Sequence, residues 1–190
     1  VSSKLSRIDE NSAPTFSLEY FPPRSDKGEQ GLLAARNELK QLQPAYVSVT
    51  FGAGGSTQDG TYATVRSILE QDGVDAAPHI SCISSSRKQL ADMLSAYRDI
   101  GVKRLVALRG DLPSGYGTLD AAELRYANEL VAFIRQQSGD HFHIEVAAYP
   151  EVHPQADSAR SDLENFKRKV EAGADAAITQ YFYNPDAYFS

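Results

Sequence analysis

Six short apolar, β-rich runs recur along the chain, and helical periodicity fills the intervals between them. The runs are "FSLEYF" at 16–21, "YVSVT" at 46–50, "APHISC" at 77–82, "RLVALRG" at 104–110, "HIEVAAY" at 143–149 and "AAITQYFY" at 176–183. Apolar stripes at helical spacing follow: Leu32, Ala35, Leu39 and Leu42, then Val65, Ile68 and Leu69, then Leu90, Leu94 and Tyr97. Two more are Leu124, Ala127, Val131 and Ile134, and Leu163, Phe166 and Val170. Gly73, Gly101 and Gly173 fall where three of these helices should stop. Strand then helix, repeated, predicts βαβ units and a parallel sheet.

A doubly wound sheet and a closed barrel both satisfy that pattern, and the polar residues separate them. They gather at the C-terminal ends of the runs: Glu19, Thr50, His79, Arg109 with Asp111, Tyr149 and Gln180. Successive strand ends that each offer a polar group suit a barrel mouth better than a single crevice. The expected fold is therefore α/β, a TIM (β/α)8 barrel with about six of the eight βα units present in this chain. Residues 1–15 are expected to form a polar tail or short helix, and 16–190 the partial barrel. The chain reaches "NPDAYFS" where a sixth helix should begin, so a C-terminal truncation is expected, with the first and sixth strands as open edges.

Composition narrows the function. Net charge is -6 with no Lys/Arg run, which argues against nucleic acid as a partner. The single Cys82 rules out an intrachain disulfide and fits a reducing cytoplasm, and the four His have no zinc spacing, so no metal is expected. No apolar run approaches the roughly 18 residues of a membrane span.

"RLVALRGDLPSG", 104–115, ends a core strand in opposite charges. It reads as a solvated turn or as the lip of an active site; an adhesion tripeptide has no extracellular feature beside it. "VTFGAGGSTQDG", 49–60, is a Gly-rich loop with neither a Walker nor a GxGxxG pattern, equally a tight βα turn or a cofactor cradle. In "SDLENFKRK", Asp162, Asn165 and Lys169 share one helix face, as a solvated surface or as a wall facing a nucleotide. Tyr149 ends a strand, and His153 follows between two prolines. Glu19 lies among apolar and aromatic neighbours in "SLEYFPP". Desolvation there would raise its pKa and suit it to acid catalysis, unless it points to solvent.

Taken in order, "FSLEYFPPRS", "VSVTFGAGGST", "PHISC", "LVALRGDLP", "VAAYPEVHP" and "KVEAGADAAITQYFYN" resemble the methylenetetrahydrofolate reductase family in its compact bacterial form, from about residue 16 onward. The resemblance implies non-covalent FAD and reduction of 5,10-methylenetetrahydrofolate to 5-methyltetrahydrofolate with NADH or NADPH, in one-carbon metabolism and methionine biosynthesis. It further implies Glu19 as general acid and Asp111 as the charge beside the 5-iminium cation. Gln180 would contact folate and nicotinamide, and Thr50 the nicotinamide side of the flavin. FAD contacts are implied for Thr50, Phe51, Ala53, His79, Arg109, Gly110, Asp111, Tyr126 and Ala127. The set continues with Tyr149, His153, Ala156, Asp162, Asn165, Arg168 and Lys169. A cytoplasmic homo-oligomer is expected at full length, without S-adenosylmethionine control. Two other readings stand beside this one. The first is a truncated, non-catalytic FAD-binding fragment. The second is a barrel lyase or aldolase, whose Schiff-base Lys none of the six runs supplies.

Overall fold

A computed structural model describes residues 15–51, 55–83, 85–110 and 123–189, with side chains from residue 59 onward in the second segment. The polar leader 1–14 therefore lies outside the described residues. The elements run β1 (Ser17–Tyr20), α1 (Asp26–Leu39), β2 (Tyr46–Val49), α2 (Gly55–Gln71), β3 (Ala76–Ser81), α3 (Arg87–Asp99) and β4 (Arg104–Leu108). They continue α4 (Ala127–Ser138), β5 (His143–Ala148), α5 (Ala159–Glu171), β6 (Ala176–Thr179) and α6 (Pro185–Phe189).

Every neighbouring strand pair is parallel, and the order across the sheet is the order along the chain, β1 to β6. A doubly wound sheet reverses direction at a switch point, and this one does not. The six strands form a curled half-barrel wall with helices outside it. That matches the barrel expectation for six units.

Register explains which side chains go where, because residues paired across parallel strands point to the same face. Val47, Val49, Ala76, Ile80, Leu105, Ala107, Ile144 and Val146 face the helices and are buried in the core. The alternate residues form the concave face, and they are largely polar. Glu19 pairs with Ser48, and Val106 sits between His79 and Glu145. Glu145 is buried there, accepting from the Tyr46 hydroxyl at 3.0 Å and from Arg104.

Local signals start and stop the helices. Ser86 with Gln89, and Ser158 with Ser161, form capping boxes at α3 and α5. Gly73, Gly101 and Gly173 take the positive φ that their positions after helices demand. In α3 the stripe Leu90, Leu94 and Tyr97 is fully buried as expected.

Three expectations need correction. The α5 stripe is a core face only in part: Phe166 packs against the core and Val170 is half-buried, but Leu163 is 68% exposed. In α1 the buried residue is Arg36, while Leu42 lies beyond the helix and is exposed. Arg36 is sunk because it pairs with Asp72 at the end of α2 at 2.7 Å. Leu124 is buried but precedes α4, which begins at Ala127.

Candidate active site

Strands β4 and β5 end beside each other, and the segments after them open a hollow of about 450 Å³. Ala107, Leu108 and Ala147 line it at the ends of these strands. One wall is the first turn of α4 with Tyr126, Ala127 and Asn128; the other is α5 with Ser161, Asp162, Asn165 and Lys169. The loop at 149–157 supplies the rim through Tyr149, His153, Gln155 and Ala156. The first turns of both helices line it, so the positive end of each dipole lies beside it.

The rim is held by its own hydrogen bonds. Asp162 accepts from the backbone N–H of His153 at 2.9 Å, tying loop to helix. His153 accepts at Nδ1 from the N–H of Gln155, and its ring meets Tyr149 edge-on with centroids 4.4 Å apart. Val152 adopts φ 69, a strained value for a β-branched residue, to turn the chain between them.

Two cations enter the hollow. Arg109 donates to Gln155 Oε1 at 2.6 Å and to the Gly110 carbonyl at 3.2 Å. Lys169 donates to the Ala147 carbonyl at 2.6 Å, and burial pulls its pKa below the ordinary lysine value against the raising effect of Asp162. A neutral carbonyl is a weak partner for a half-buried ammonium, so an anion in the hollow would be a better one.

The structure thus brings together Arg109, Gly110, Tyr126, Ala127, Tyr149, His153, Ala156, Asp162, Asn165 and Lys169 around one space. Arg168 stands apart from the lining and is exposed, donating to Asn165 at 3.1 Å. Ala53 and Asp111 lie outside the described residues. Gln155, Asn128 and Ser161 line the hollow and were not singled out from the sequence. The one signal for Gln155 was its place between His153 and the Ser158 helix cap.

A second group lies on the concave face. Glu19, Ser48 and His79 converge there from β1, β2 and β3. Thr50 and Phe51 follow β2, and the Thr50 carbonyl accepts from Thr61 at 2.9 Å. Gln180 follows β6 at the other edge and is exposed. Glu19 is not enclosed by its apolar sequence neighbours: its side chain is 50% exposed, and Leu18 and Tyr20 face the helices instead.

The family model described as methylenetetrahydrofolate reductase matches residues 4–190. The chain belongs to the methylenetetrahydrofolate reductase family. It is 45% identical over 172 residues to the 5,10-methylenetetrahydrofolate reductase of Pectobacterium carotovorum subsp. carotovorum, covering 90% of this chain and 56% of that one. The Escherichia coli (strain K12) relative of the same description is 44% identical over the same shares. Methylenetetrahydrofolate reductase (NADH) 1 of Arabidopsis thaliana is 34% identical over 199 residues, 99% of this chain and 34% of its own. The chain spans 56% of the length of the two bacterial relatives.

Among solved structures, 2,3-dimethylmalate lyase superposes with a TM-score of 0.58 at 12% identity, over 92% of this chain and 60% of that one. Rhizobium etli pyruvate carboxylase gives 0.54 at 12% identity, over 86% and 15%. At such identities the likeness shows the fold alone. The aldolase or lyase reading gives way to the family match. Among the described residues no cluster of His, Cys, Asp or Glu could hold a metal ion, and no helix is long and apolar enough to cross a membrane.

Proposed function

We propose that the protein reduces 5,10-methylenetetrahydrofolate to 5-methyltetrahydrofolate, taking hydride from NADH or NADPH through a bound FAD. Family membership supports the folate reaction. The hollow supports the nucleotide: two cations suit a diphosphate, Asp162 and Asn165 suit ribose hydroxyls, and Tyr126, Tyr149 and His153 offer ring faces. FAD supplies the hydride relay, and the chain supplies binding, orientation and charge.

Glu19 is the proton donor to the folate nitrogen as the five-membered ring opens. It stands at a strand end where substrate and solvent can both reach it. Asp111 provides the negative charge that favours the 5-iminium cation, an electrostatic role. Gln180 contacts folate and nicotinamide, and Thr50 contacts nicotinamide. Phe51, Ala53, His79 and Arg168 complete the flavin contacts.

The observation that carries this reading is the convergence of Arg109, Lys169, Asp162 and Asn165 on one hollow beside aromatic rings. Titration with FAD, followed by anaerobic mixing first with NADH and then with methylenetetrahydrofolate, tests it. Binding with both half-reactions is expected. Asp111→Asn should slow the folate half far more than the NADH half, and equal losses would reject its role. Glu19→Gln should stop methyl product formation while leaving FAD reduction near normal. A second reading, FAD binding without turnover, draws on the exposure of Glu19 and Gln180. Flavin reduction with no folate product would favour it.

A further inference from the structure

Ser48 and His79 reach the same carboxyl oxygen. Ser48 is the register partner of Glu19, and its Oγ lies 3.5 Å from Oε2. His79 arrives from the next strand, with Nε2 at 3.4 Å from that same Oε2. Oε1 receives no hydrogen bond among the described residues. The His79 side chain is 11% exposed, and Nε2 is shut off from solvent without a well-aligned partner. A buried ring nitrogen left so is unfavourable, and a small turn of the half-exposed Glu19 would relieve it. Catalytic hydrogen bonds are commonly long before substrate arrives. Burial also pushes the His79 pKa down to about 4, so the ring is neutral near pH 7 and a proton on Nε2 would face Glu19 as a donor.

The geometry points to His79, with Ser48, as a positioning residue that anchors Oε2 of Glu19 and leaves Oε1 to carry the proton given to the folate nitrogen. An oxygen that accepts from Ser48 and stands nearest the His79 N–H, which that small turn would align, is the poorer site for a proton, so the carboxylic acid protonates on the other one. The inference rests on reading Glu19 as the acid. It adds which oxygen acts and what turns that oxygen toward substrate.

Two measurements test it. In the flavin-free chain, ¹⁵N-histidine NMR at neutral pH should show His79 neutral with its proton on Nε2, and Glu19→Ala should shift that resonance. A proton on Nδ1, or a resonance indifferent to Glu19→Ala, overturns the proposal. In the FAD-loaded protein, His79→Leu should slow the folate half-reaction by about tenfold or more while the folate Kd changes by less than about twofold, the mark of an interaction made in the transition state. His79→Gln keeps an N–H donor and should recover most of the loss; equal loss in both variants overturns the proposal. If Glu19→Gln retains folate turnover, the acid reading falls by itself, while the NMR result still reports the Nε2–Oε2 contact.

Discussion

Gly110 is backed directly against Ser81: a Cβ at Gly110 would lie 2.0 Å from the Ser81 hydroxyl oxygen. That hydroxyl donates to the Arg109 carbonyl at 2.8 Å, so the end of β4 is pinned to the end of β3 with no space between. The turn also requires φ +83, a conformation that side chains oppose. Positive φ and overpacking together should make Gly110→Ala destabilising by about 2–4 kcal/mol. Urea unfolding checks this. Adding Ser81→Gly should recover part of the loss by removing the clash, and an unchanged midpoint in Gly110→Ala would contradict the close approach.

Arg36 and Asp72 form an ion pair with both side chains 5% exposed, and Arg36 also donates to Ser67 at 3.0 Å. The pair links α1 to the end of α2. Removing one partner strands a buried charge, so Asp72→Ala should cost about 3–5 kcal/mol. The double variant Arg36→Met with Asp72→Ala should cost less than Asp72→Ala alone, because it leaves no orphan charge. Additive losses across the cycle would show that the charges do not interact.

The strands and the order of the units were legible because their signals are local. Val47, Val49, Leu105 and Ile144 are β-branched or leucine residues in short runs, and Gly73, Gly101 and Gly173 mark helix ends by backbone chemistry alone. The hollow was partly legible, since Asp162, Asn165 and Lys169 share a face by helical spacing. Leu163 misled because periodicity shows which residues align but not how far along the helix the core reaches: Phe166 of the same stripe packs on it, and Leu163 does not. Arg36 hid for a related reason: its burial depends on Asp72, far along the chain and invisible to a local window. Glu19 illustrates the strand version. Sequence neighbours on a strand point to the opposite face, so Leu18 and Tyr20 say nothing of the surroundings of Glu19. Its real neighbours, Ser48 and His79, come from other strands.

Cys82 sits in the core at 0% exposure, and burial pushes its thiol up to about 11. Thiolate is the reactive form, so the folded protein should resist alkylation. Iodoacetamide at pH 8 should leave Cys82 unmodified in buffer and modify it fully in denaturing urea, as read by mass spectrometry. Rapid labelling of the folded chain would show that this strand end opens readily.

His79 should make stability depend on mild acid. Its pKa falls from 6.5 unfolded to about 4 folded, the cause being burial; the nearby Glu19 carboxylate is half in water and does not offset it. The other groups beside it on the concave face, Ser48, Ser81 and Val106, carry no charge. Between those two pKa values the unfolded chain holds a proton that the folded chain does not, so stability rises with pH across that window and is level above it. The full span corresponds to about 3 kcal/mol as an upper order of magnitude, at 1.36 kcal/mol for each unit. Urea midpoints from pH 4 to 7 should therefore climb and flatten near 6.5. His79→Gln, which cannot titrate, should remove most of that slope, and an unaltered slope would assign the acid sensitivity to other groups.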